Sequence, residues 1–168
     1  MTAWFGALWG VSGVLLLLGG AVYRLTPLAI DAFSYDWSWH HWFALALMTF
    51  FMAYAEGYRA FQQGFSPRVA ARARYLREHP NFVHALLAPL FCMAYFHAPR
   101  RRRITSISVT AGIVILVVLV RLLPQPWRGI IDGSVVVGLT WGLVSLMVFG
   151  FQALTDGQFH YAPEVPEQ

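Results

Sequence analysis

From Ile113 to Val120 the chain reads IVILVVLV, eight residues without a polar side chain, inside a longer apolar run that extends over about 104–123. A helix in water shows a polar face every turn, whereas a helix that is apolar all round is buried or spans a bilayer. Four further apolar runs cover about 4–23, 39–63, 81–98 and 131–154. A membrane span needs roughly 20 mostly apolar residues, so the runs use up nearly the whole chain and leave no room for a separate soluble domain. Composition agrees, with 58% hydrophobic and 12% charged residues against about 25% charged in a soluble domain. The expected fold is all-α: a polytopic membrane bundle with five membrane-embedded helices. Four of these cross, and the third (81–98) either crosses or is re-entrant. The single transmembrane domain covers 1–154, and a polar, disordered tail over 155–168 follows it.

The cationic side chains are twelve arginines and no lysine, with a formal net charge of +4. They collect at the ends of the apolar runs, the pattern of topology determinants and lipid-phosphate contacts rather than of a nucleic-acid face. The expected environment is therefore a bilayer with anionic headgroups, in a bacterial inner (plasma) membrane, with no nucleic-acid partner. Cys92, the single cysteine, lies in an apolar run and is expected to pack as a small hydrophobe. The N-terminal Met1-Thr-Ala-Trp-Phe has no basic region before its apolar run, so the first run is expected to stay as a membrane helix rather than leave as a signal peptide.

Small residues mark packing faces. Gly6, Gly10, Gly13 and Gly20 fall on one side of the first helix, which Thr26-Pro27 is expected to stop. Ala46, Ala53, Gly57, Ala60 and Gly64 form a second seam, and Gly138, Gly142 and Ser145 a third. The first two seams predict that helices one and two are antiparallel neighbours. Ser66-Pro67 reads as an N-cap followed by proline at the first helical position. It would start an amphipathic interfacial helix over about 67–78. There Arg68, Arg72, Arg74 and Arg77 flank an apolar strip and reach for headgroups. Arg100, Arg101, Arg102 and Arg103 form a second cluster of the same kind. If the third segment crosses, the arginines balance at about six against five. If it turns back, the count is about eight against three by the positive-inside rule. Either way the 64–80 linker is expected in the cytoplasm.

The strongest chemical constellation is Glu56 with Arg59, one α-helical turn apart in the second run and followed by Gln63. An ionisable residue in a membrane helix costs about 2.5–3.5 kcal/mol on insertion scales, so a mutually neutralising pair is expected, either structural or part of a transport path that His84 joins. His40 and His41 open the second run and His97 closes the third; two imidazoles from different helices suit a haem b iron or, with Asp36, a metal ion. No P-loop, G-x-S-x-G elbow or H-E-x-x-H motif occurs. The reading that follows is a small, non-enzymatic membrane subunit, scaffold or accessory protein that acts through a protein partner or as a homo-oligomer. An oligomeric transporter or channel using Glu56 and Arg59 is the alternative, and a haem-binding electron carrier the weaker one.

Overall fold

The computed structural model describes residues 2–79, 81–155 and 159–165, and among them the regular structure is helical throughout. Three helices are long and apolar enough to cross a membrane, within Trp4–Ser34, Arg100–Arg121 and Trp127–Thr155, which makes this a membrane protein by length and composition.

Helix α1 (Thr2–Asp31) continues through Pro27, where its stop was expected. Proline contributes no N–H to the ladder, and next to it the Thr26 hydroxyl donates to its own i−4 carbonyl, Val22, at 2.7 Å, a back-bond compatible with an unbroken helix. A short 3₁₀ turn (Ala32–Ser34) leads to α2 (Trp39–Met52). The Ser38 N–H donates to His41 Nδ1 at 3.2 Å in a capping box that starts α2.

The chain does not pause where α2 ends. Ala53–Phe65 continues as thirteen residues of wide π turns, and α3 (Ser66–Glu78) follows without a break. Phe65 (φ −72°, ψ −52°) and Ser66 (φ −60°, ψ −47°) are both helical, so Ser66-Pro67 is not the boundary the sequence pattern predicted. Ser66 Oγ is buried with no hydrogen-bond partner among the described residues, so it caps nothing. Trp39 to Glu78 is one rod, and α3 is its far end rather than a separate helix. Val69, Ala70, Ala73 and Leu76 of α3 are buried at the side of α1 and α7.

Segment 81–98 is not a single helix either. Asn81 Oδ1 accepts the N–H groups of Val83 and His84 and starts α4 (Phe82–Leu86); α5 (Ala88–Cys92) follows after Leu87. Ala94 (φ 62°) and His97 (φ 48°) then take left-handed conformations, and the chain turns back until the His97 ring stands 4.8 Å from that of His84. The segment is a helical hairpin whose two ends meet. Helices α6 (Arg100–Arg121) and α7 (Trp127–Thr155) complete the chain.

Helix α7 is the hub, packed along α1, α2, the π segment and α3. The small-residue faces are filled within the chain, but not by the neighbours the sequence suggested. The α1 seam receives the hairpin: a β-carbon added to Gly6 would stand 3.0 Å from Ala85 Cβ, one on Gly10 2.7 Å from Cys92 Sγ, and one on Gly13 would collide with the Pro89 ring. Gly20 has nothing within 4 Å. Helix α2 packs on α7 rather than on α1. Gly57 is occupied by Trp141, and Gly142 by the Phe61 ring at 2.6 Å from an added β-carbon. Val11, Val14, Val69, Leu76, Phe91 and Leu146 close the core. By contrast, α6 is almost entirely exposed and touches the rest lightly. It carries no filled notch, since Gly112 has nothing within 4 Å.

Candidate functional site

The π turns decide where the charged pair goes. Residues five apart lie about 140° apart on an α-helix, but the i→i+5 bonding of a π-helix brings them nearly into line. Glu56 and Phe61 accordingly share the face toward α7. Glu56 lies in the notch of Gly138, its Oε2 2.8 Å from an added β-carbon, and Phe61 lies in that of Gly142. The same winding carries residue i+3 away from i. Arg59 is exposed on the outer side, and no ion pair joins it to Glu56 among the described residues. Gln63 is also exposed, whereas Gln62 accepts from Trp141 Nε1 at 2.7 Å. Tyr54 and Tyr58 extend the outer strip, with ring centroids 6.0 Å apart.

The depth of this strip follows from its register against α7. His41 touches Trp127 (5.0 Å between ring centroids), Thr49 and Ser134 share a hydroxyl contact of 3.3 Å, and Gly57 meets Trp141. Further along, Arg77 Nη1 donates to the Leu154 carbonyl at 2.6 Å. Arg59 is therefore abreast of Trp141, midway along Trp127–Thr155.

The four candidate histidines form two groups at opposite ends of the bundle. His40, His41 and Trp127 cluster at one end, while His84, His97 and Phe91 cluster at the other. His40 or His41 does not meet His97, and no group of three His, Cys, Asp or Glu side chains that could hold a metal ion occurs among the described residues.

Arg72 has a different surrounding from the other arginines of α3. It is 2% exposed. Its Nε donates to the Phe91 carbonyl (2.7 Å), Nη1 to those of Pro163 and Glu164 (3.0 and 3.2 Å), and Nη2 to those of Phe96 and His97 (3.1 and 2.9 Å). A guanidinium has five N–H donors, so none is left for a lipid phosphate. The Phe91 ring lies 4.2 Å from the guanidinium carbon and covers one side of it. Arg72 thus pins the end of the hairpin and residues 163–164 to α3. Tail residues 156–158 and 166–168, included in the expected disorder, lie outside the described residues.

The remaining arginines vary. Arg68 donates to the Gly64 carbonyl, Arg74 pairs with Glu78 at 2.7 Å, and Arg77 also covers the Trp4 ring. Arg102 pairs with Glu164 at 2.5 Å, while Arg100, Arg101 and Arg103 are exposed. One interaction escaped the sequence reading: Arg128 faces the buried Asp132 at 3.5 Å on the first turns of α7. The spacing i, i+4 in WRGIID is its only sequence signal.

Comparison with family models, with curated proteins and with solved structures gives no match.

Proposed function

We propose that the chain is a non-enzymatic membrane subunit, scaffold or accessory protein that works by associating with another membrane protein. In this reading four rods cross the bilayer: α1, the continuous Trp39–Glu78 helix, α6 and α7. The 81–98 hairpin is re-entrant on the arginine-rich side. Eight arginines (68, 72, 74, 77 and 100–103) then stand on that side, against three (24, 121 and 128) on the other. The positive-inside rule puts the eight in the cytoplasm.

The observation that carries the reading is the outward placement of polarity at mid-depth. Along the rod, the groups turned toward α7 fill glycine notches, while Arg59, Gln63 and the two tyrosines stand on the outside. A transporter keeps its polar groups on an inner path; a subunit that docks through its surface carries them outward. On the outer side of α7, Gln62, Thr140, Trp141, Ser145 and Gln152 also line an open cleft of about 650 Å³.

Extraction of the tagged chain from its native membrane into lipid nanodiscs tests the reading. A second membrane protein should copurify in fixed stoichiometry, and a lone monomer of 18.9 kDa would overturn it. The transport alternative draws on Glu56, a half-buried carboxylate without a hydrogen bond among the described residues. It requires Glu56→Gln to abolish flux in proteoliposomes, and unchanged flux removes it.

A further inference from the structure

The outer face of the π segment carries one charge that the described residues of its own chain leave uncovered. Arg59 is exposed, has no hydrogen-bond or ion-pair partner among the described residues, and lies abreast of Trp141. Trp141 is fourteen residues from each end of α7, about 21 Å at 1.5 Å per residue. The hydrocarbon core is about 30 Å thick, so Arg59 sits near its centre, beyond the reach by which an arginine snorkels to a phosphate. An arginine facing acyl chains at that depth is strongly disfavoured, and intramembrane charges are found paired or facing protein or water. Tyr54, Tyr58 and Gln63 add two hydroxyls and an amide to the same strip, none with a hydrogen bond among the described residues.

We infer that this strip is an intramembrane docking surface for a transmembrane helix of a different protein, and that the docking helix carries a glutamate or aspartate that pairs with Arg59. This rests on the membrane-subunit reading and specifies its partner. Charge complementarity selects the carboxylate, and the geometry disfavours a second copy of this chain as its donor. Among the described residues the only carboxylate at that depth is Glu56, which is packed into the Gly138 notch on the α7 side of the rod. Asp132 lies near the far end of α7, beside Arg128. Arg102 already holds Glu164 at the arginine-rich end. The tyrosines suit the contact because they supply large rigid area together with a polar tip.

The test uses the full chain in its native membrane, with p-benzoylphenylalanine in place of Tyr58 and, as a control, in place of Val144 in the cleft on α7. Irradiation should give one adduct at position 58, with the crosslinked peptide in a transmembrane helix that contains Asp or Glu. Arg59→Glu should reduce that adduct at least tenfold at equal chain abundance, Arg59→Lys should retain most of it, and changing the partner's carboxylate to arginine should restore it in the Arg59→Glu background. An adduct of two copies of this chain, adducts to lipid only, or an adduct indifferent to Arg59→Glu would overturn the proposal. If position 144 still captures a membrane protein in such a case, the subunit reading stands without this surface. If neither position captures a protein, both fall.

Discussion

Arg59 and Arg72 sit on one uninterrupted helix, thirteen residues apart, and meet opposite conditions. Arg72 is 2% exposed and gives all five of its N–H groups to backbone carbonyls. Arg59 is exposed and gives none to any described residue. The difference lies in what the neighbouring backbone offers. Arg72 faces the end of α5, where the Phe91 carbonyl also accepts from the Ala94 N–H at 3.0 Å, and the irregular segments around Phe96 and Pro163, whose carbonyls lie outside any helix and carry the negative end of peptide dipoles. Arg59 faces outward from a rod whose carbonyls are engaged in its own ladder, on the side away from α7. A buried cation is thus held by loose backbone carbonyls, whereas the exposed Arg59 has no such acceptor among the described residues.

Arg72→Ala should produce the largest effect. It leaves the carbonyls of Phe96, His97, Pro163 and Glu164 without their guanidinium donor and that of Phe91 with its Ala94 N–H alone, and each buried unsatisfied group costs about 1–3 kcal/mol before relaxation and water offset part of it. A net loss of about 3 kcal/mol or more is expected in thermal unfolding of the detergent-solubilised protein, with faster proteolysis of the tail. Retention of wild-type stability would mean that the five-carbonyl node contributes nothing. Arg72→Lys sharpens the point. Lysine keeps the charge but has three donors on a compact head, and cannot repeat a planar fork. An intermediate loss of about 1–2 kcal/mol is expected, and full rescue would show that charge alone matters.

Several of these features could be read from the sequence and several could not. The apolar runs at 104–123 and 131–154 correspond closely to α6 (Arg100–Arg121) and α7 (Trp127–Thr155), because an all-apolar stretch of that length has one good conformation in hydrocarbon. The glycine faces were legible as faces, but their partners were not. Nothing local tells Gly10 that Cys92 will fill it, or Gly142 that Phe61 will. The π turns were invisible to a 3.6-residue template, and with them the separation of Glu56 from Arg59. Arg72 looked like a headgroup arginine because its acceptors are backbone carbonyls 19 to 92 residues away, and backbone acceptors leave no trace in side-chain pattern.

A smaller effect should come from Glu164→Gln. The carboxylate meets Arg102 at 2.5 Å, but the two side chains are 33% and 41% exposed, and such pairs contribute about 0–1 kcal/mol. The tail is held mainly by its carbonyls on Arg72, so this substitution should lower stability by less than about 1 kcal/mol. Limited proteolysis should leave the tail protected, whereas it is cut in Arg72→Ala. Equal exposure of the tail in both variants would shift the anchor from the guanidinium to the ion pair and remove half of the contrast between the arginines.

The smallest expected effect belongs to Arg59→Leu, measured on the purified chain. Surface substitutions away from specific contacts stay within about 0.5 kcal/mol, and Arg59 makes no hydrogen bond or ion pair with any described residue. In detergent the midpoint of unfolding should therefore not fall. In a bilayer it should rise, since leucine removes a charge that hydrocarbon disfavours. The sign of the two measurements together carries the information. A drop in detergent would reveal a partner for Arg59 inside its own chain and end the comparison with Arg72. An unchanged or raised midpoint, combined with loss of the crosslink at position 58, would separate a residue retained for association from one retained for folding.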